Sequence, residues 1–217
     1  MKSKVKQIFE GLFINYPQLE KCKTNIEEAF ILLQQCYEKE GKVLICGNGG
    51  SASDSNHIVG ELMKGFILKR EITCEDSQKI KEAFPVEGEY FSQHLQRALP
   101  AISLVSHSAL NFAFINDIAP DMVFAQQVYG YARKSDVLIG LSTSENSSNV
   151  VNAIKVAKAF GIKSIGMTGK DGGIMNDICD VIIKVPADDT YRVQEYHLPV
   201  YHALCAMIEY EFFGVSA

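Results

Sequence analysis

Residues 46–62 read CGNGGSASDSNHIVGEL. Two kinds of chemistry stand side by side in it. His57 and Glu61 are four apart, so on a helix they share one face. An imidazole and a carboxylate at that spacing suit a shared metal ion or a proton transfer. They equally suit a solvated surface pair. The preceding GNGGSAS is of another type. Its glycines let the backbone turn tightly, and free amides at a helix start attract an anion. A plain strand-to-helix turn with Ser51 or Ser53 as N-cap is the bland alternative. A dinucleotide fingerprint is a third reading, since Gly47, Gly49 and Ala52 fit GxGxxA. That fingerprint needs an acid after the next strand, roughly 20 residues on. Here the position falls in a charged stretch with no strand before it, which counts against the reading.

A second stretch, LSTSENSSNV at 141–150, also sits between an apolar run and a helical pattern. Ser142, Thr143, Ser144, Ser147 and Ser148 crowd one turn, whereas one or two hydroxyls suffice for a cap. The surplus suggests a group with several acceptor oxygens, such as a phosphate monoester. A third stretch, RVQEYHLPVYHALCAMIE at 192–209, puts Gln194 and His202 eight apart on one broad helix face, with His197 between them. Pro199 is expected to kink this helix.

The elements that must position these residues follow from periodicity. Apolar residues recur at helical spacing over 4–16 and 19–37, with Pro17 between them. Short apolar runs at KVLICG, PAISLVS (100–106), DVLIGLS (136–142), KSIGMTG (163–169) and DVIIKVP (180–186) read as strands separated by helices. That alternation indicates a parallel sheet covered on both faces, with right-handed crossovers. Residues 192–213 read as a closing helix. The charged segment 67–98 has no clear strand and space for one short helix near 76–83, so it reads as an insertion within a single domain spanning 1–217. Two such turns at the C-terminal ends of parallel strands suit a small phosphorylated ligand.

The bulk composition narrows the setting. A net charge of −5 without a basic run gives no nucleic-acid surface. No apolar segment is long enough for a membrane span, and the start lacks a secretory pattern. Six scattered cysteines without a CxxC pair suit a reducing cytoplasm.

Taken together, GNGGSASDSNHIVGEL, the IND of 115–117, DVLIGLSTSENSSNV, the TGKDGG of 168–173 and RVQEYHLPVYH resemble the sugar isomerase (SIS) domain family in order and spacing. Within it they are most similar to the isomerases of sedoheptulose 7-phosphate. The resemblance runs from about residue 20 to the C-terminus, apart from 67–98. It implies a three-layer α/β/α sandwich with a five-stranded parallel sheet, leading helices over 1–40, and a homotetramer with active sites between subunits. It implies an aldose–ketose isomerisation through an enediol, giving D-glycero-D-manno-heptose 7-phosphate. By the same resemblance Ser142, Thr143, Ser144 and Ser147 hold the phosphate. Asn48, Gly49, Gly50, Ser51, Asp117 and Gln194 contact substrate. Glu61 and His202 are the acid/base pair, and His57, Glu61, Gln194 and His202 are the ligands of a Zn²⁺. The chain departs from the pattern at Glu145 and Gly65, which replace glycine and arginine, at Tyr191, which replaces aspartate, and at Pro199. Beside Gly65, Lys64 is a candidate substitute charge. Other expectations within the family are an isomerase of another sugar phosphate, a phosphosugar sensor, or a non-catalytic protein that binds a partner such as the replication initiator. The four retained polar residues favour the enzyme, and a sensor needs a DNA-binding domain for which the N-terminal segment is too short.

Overall fold

The computed structural model describes residues 1–144 and 146–214. Among them the chain runs α1 (Ser3–Asn15), a 3₁₀ turn (Pro17–Cys22), α2 (Lys23–Glu38), β1 (Val43–Cys46), α3 (Gly50–Met63), α4 (Cys74–Ala83), α5 (Gly88–His94) and β2 (Ala101–Ser103). It continues through α6 (Ser108–Asp117), a 3₁₀ turn (Pro120–Met122), α7 (Val123–Tyr131), β3 (Val137–Ser142), α8 (Ser148–Ala159), β4 (Lys163–Thr168), α9 (Met175–Ile178), β5 (Val181–Lys184) and α10 (Thr190–Phe213).

All strands are parallel, in the order β2-β1-β3-β4-β5. The fold is the expected three-layer α/β sandwich. Successive side chains of a strand point to opposite faces. Val43 and Ile45 of β1 therefore join one apolar cluster, while Leu44 and Cys46 join the other. The first cluster packs under α1, α2, α3 and α10, and the second under α7, α8 and α9. The strands are largely apolar, and β1 (VLIC) entirely so, because both faces of the sheet are covered. Asp136 ties the starts of β1 and β3 together. It accepts from the Lys42 amide (2.9 Å) and the Arg133 amide (2.7 Å), and it pairs with the Lys42 ammonium.

From β1 the chain goes to β2 on one side, and later elements build on β3 at the other. The order thus reverses between β1 and β3, where a crevice opens beyond the carboxyl ends of the strands. The turns 47–50 and 143–147 leave those two ends.

Helices α3 and α10 come from distant parts of the chain and run side by side in step. Asp54 and His57 each meet Tyr201, 147 and 144 positions later. Further along, the Phe66 amide meets Glu209, 143 positions later. Helix α10 passes through Pro199 as one continuous element. The segment 67–98 is a helical arm made of α4 and α5, and the second of these was not expected from the sequence. Its base is closed by the Glu71–Gln96 bridge and by the Arg97 amide donating to the Arg70 carbonyl (2.8 Å). No described helix is long and apolar enough to cross a membrane.

Candidate active site

The first turn is built by glycine. Gly49 has φ +54°, a left-handed conformation that costs other residues strain. Helix α3 begins at Gly50, and no side chain caps it. Ser51 and Ser53 lie inside the helix, which corrects the expectation of either as N-cap. Ser51 is buried, and its carbonyl accepts from the Ser55 hydroxyl (2.8 Å). Gln194 lies directly over the turn. A Cβ on Gly50 would stand 2.3 Å from its Nε2, so glycine is what lets the amide approach.

In the second turn Ser142 donates to Ser147 Oγ at 3.1 Å, and Ser144 Oγ shares a hydrogen bond with Ser147 at 3.2 Å. Ser147 occupies the N-cap position of α8, yet its hydroxyl makes no cap bond. The hydroxyls bond one another instead of the helix amides. Among the described residues the Val150 amide donates to Asn149 Oδ1 (3.0 Å), and the earlier amides of α8, reinforced by the helix dipole, are left to an anion. Asn48 and Asn149 join the two turns, with each side-chain amide donating to the other's oxygen at 2.9 Å. Thr143 lies within this turn, and Glu145 lies outside the described residues.

The in-step helices place the remaining groups. Glu61 Oε1 is 3.0 Å from His57 Nε2, and the carboxylate is largely buried while the imidazole is half-exposed. The His202 ring meets the His57 ring edge-to-face at 5.0 Å. Phe66 covers His202 from the other side. Burial, followed by the neighbouring His57, lowers the His202 pKa. His57 Nδ1 lies 3.0 Å from the Tyr201 hydroxyl, which donates to Asp54 Oδ1 at 3.2 Å. Burial raises the Asp54 pKa, opposed by the Tyr201 bond and by His57.

Among the described residues Glu61 Oε2 and His202 Nε2 are both buried without a hydrogen-bond partner. Orphaned buried polar atoms of this kind mark a place where a proton, cation or substrate group belongs. Among the described residues no three His, Cys, Asp or Glu side chains close around a metal ion. The nitrogen and carboxylate donors of His57, Glu61 and His202 still suit a borderline cation such as Zn²⁺ in kind, with Gln194 further along over the glycine turn.

Other expected residues stand apart. Asp117 is exposed at the end of α6, where its carboxylate accepts from Asn116 (2.8 Å). Lys64 turns its ammonium to the Gly65 carbonyl (3.3 Å). A Cβ on Gly65 would meet the Leu68 carbonyl at 2.4 Å, so a tight backbone turn accounts for glycine there. Tyr191 is exposed under the Arg192 guanidinium, which pairs with Glu195. Burial pushes Cys46, Cys36 and Cys179 up to about 12, so none of these is a ready thiolate nucleophile.

Sequence reasoning missed Asp54, Tyr201 and Asn149. Asp54 was within reach of it, three before His57 on the same face of α3. Tyr201 and Asn149 act through contacts with residues far off in the chain, which no periodicity reveals.

The chain belongs to the SIS domain family, whose model matches residues 106–208, and it is a phosphosugar isomerase. The phosphoheptose isomerase of Aliarcobacter butzleri is 38% identical over 193 residues, which cover 89% of this chain and 88% of that protein. The solved phosphoheptose isomerase of Neisseria gonorrhoeae superposes with a TM-score of 0.70 at 32% identity, covering 94% of this chain and 97% of that one. The corresponding structure from Francisella tularensis gives 0.71 at 26% identity, over 96% and 99%. The particular enzymes this chain resembles are thus phosphoheptose isomerases.

Proposed function

We propose that this isomerase interconverts sedoheptulose 7-phosphate and D-glycero-D-manno-heptose 7-phosphate. The observation that carries the reading is the reciprocal Asn48–Asn149 pair, which holds both turns at one crevice. One turn presents uncapped amides and hydroxyls, and the other opens the helix bearing His57 and Glu61. The names of the relatives supply the heptose.

In this reading Ser142, Thr143, Ser144 and Ser147 hold the phosphate. Asn48, Gly49, Gly50 and Ser51 contact the sugar chain, with Gln194 above them, and Asp117, which stands apart at the end of α6, is the acidic contact the resemblance implies. Glu61 takes the proton from C1 of the ketose and returns it to C2 of the cis-enediol. His202 carries the hydroxyl proton from O1 to O2. Burial, followed by the neighbouring His57, favours its neutral form, which can accept one proton and give one up. Glu61 Oε1 stands 3.0 Å from His57 Nε2 while Oε2 has no partner among the described residues, so the carboxylate keeps an oxygen for the proton it takes. A Zn²⁺ held by His57, Glu61, Gln194 and His202 would polarise the carbonyl and stabilise enediolate charge.

A homotetramer with active sites between subunits accompanies this reading, as does a cytoplasmic location. Support for assembly comes from α6, which buries none of its residues and exposes Phe112, Ile115 and Leu110, with Ile118 just beyond. Light scattering of the purified protein tests it, and a monomer that turns over at full rate rejects it.

The activity is tested by NMR on sedoheptulose 7-phosphate, before and after chelation and with zinc restored. Heptose 7-phosphate should form in the wild type and fail to form in Glu61→Gln and His202→Ala. Activity should fall on chelation and return with zinc. A folded, zinc-loaded protein without turnover rejects the heptose substrate.

A further inference from the structure

The hydrogen bonds around His57 run in one direction. An ionised Asp54 carboxylate can only accept, and the Tyr201 hydroxyl donates to its Oδ1 at 3.2 Å. The Tyr201 oxygen is then the acceptor, and His57 Nδ1–H donates to it at 3.0 Å. A neutral imidazole carries one N–H, so Nε2 is left as a lone pair. That lone pair faces Glu61 Oε1 at 3.0 Å, which is a second acceptor. Two acceptors at this distance repel unless a proton or cation lies between them. The alternative tautomer would satisfy Glu61 from Nε2–H but would leave His57 Nδ1 and the Tyr201 oxygen as facing acceptors, unless Tyr201 released Asp54. Asp54 Oδ2 is already buried without a partner, so losing the bond at Oδ1 would strip that carboxylate entirely. Tyr201 itself is 1% exposed and packed edge-to-face on His57, which leaves its hydroxyl few other partners.

We infer that Asp54 and Tyr201 are positioning residues that fix His57 as its Nδ1–H tautomer and aim the Nε2 lone pair at the Glu61–His202 side. The tautomer stands on the hydrogen bonds alone. Its use, presenting a ready ligand atom, rests on the zinc reading given above. Metal-binding histidines commonly have the other ring nitrogen fixed in this way, and losing the outer partner costs about 10–100-fold in metal affinity.

The test uses metal-free protein carrying ¹⁵N-labelled histidine, at alkaline pH where imidazoles are neutral. Nitrogen shifts should show wild-type His57 protonated at Nδ1. Tyr201→Phe keeps the ring and the packing, and it should move the proton to Nε2. Zinc affinity, read by competition with a chromophoric chelator, should fall about 10–100-fold in that variant. Asp54→Asn keeps an acceptor oxygen for the tyrosine and should fall less. A thermal melt confirms that each variant is folded. Wild-type His57 protonated at Nε2 overturns the inference, and so does a Tyr201→Phe protein with an unchanged tautomer. Unchanged zinc affinity in that variant overturns the ligand-aiming role. A wild type with the Nδ1–H tautomer that binds no zinc sustains the positioning and rejects the zinc reading instead.

Discussion

The α3–α10 pair buries acidic side chains at two levels and treats them oppositely. At the far end Glu209 is fully satisfied. Its Oε1 accepts from the Phe66 amide (2.8 Å) and Arg70 Nε (2.7 Å), and its Oε2 accepts from the amides of Ile67 (2.7 Å) and Leu68 (3.1 Å). Arg70 spends its other donors on the carbonyls of Leu62 and Glu61, at the end of α3. Both side chains are completely buried. Midway along the pair, Glu61 faces an acceptor with one oxygen and nothing with the other. Glu209 closes on the segment that follows α3, whereas Glu61 stands on α3 itself, and both carboxylates are turned in from solvent. A closed network serves architecture, and an open one leaves valences for a ligand.

The largest effects should separate the two levels. Glu61→Gln should lower turnover by about 10²–10⁴-fold, the usual range for a general acid–base group. Its melting temperature should hold or rise, because a carboxylate facing an acceptor is removed. A clear fall in melting temperature would put Glu61 with Glu209 as a structural group. Arg70→Met should do the reverse and cost about 3–5 kcal/mol in urea unfolding, because it strands a buried carboxylate. A loss below about 1 kcal/mol would erase the contrast between the ends.

His197 tests the rule in the core. It is fully buried, Nε2–H donates to the Thr168 carbonyl at 3.4 Å, and Nδ1 has no partner. Burial lowers its pKa from 6.5 to about 4. The unfolded chain takes up a proton as pH falls through 6.5, and the folded chain does not until about 4. Its contribution is therefore complete above about 6.5 and is lost on acidification toward 4, by up to about 3 kcal/mol. Unfolding free energies of wild type and His197→Gln across that window should converge as pH falls, and parallel curves would contradict this. The smallest effect should come from Ser147→Ala. Losing one hydroxyl to the phosphate should raise KM several-fold, about 1 kcal/mol, with kcat retained. Because Ser147 makes no cap bond, the stability loss should stay below the usual cap cost of about 1 kcal/mol.

The sheet was legible because each strand carries a short, mostly buried apolar run, and DVLIGLS needs no partner to be recognised. The arm was half legible. Thr73 and the acids behind it mark the start of α4, but α5 buries only Gly88 and leaves little pattern to read. The site was legible where its residues cluster in sequence, as in His57 with Glu61 or Ser142 with Ser147. It was opaque where pairing is distant, as in Asp54 with Tyr201 or Asn48 with Asn149. Nor does a serine at a helix start announce whether its hydroxyl caps the helix or leaves the amides free.

The partnership of α3 with α10 also bears on when the enzyme becomes active during its synthesis. His57 leaves the ribosome 144 residues before Tyr201 does, a wait of roughly 7–30 s at about 5–20 residues per second. Throughout that interval a growing chain can form the glycine turn, and later the hydroxyl turn, while its histidine and carboxylate have no second helix to pack against. The pairing therefore waits until α10 has emerged, when it moves into step and Glu209 closes on Arg70.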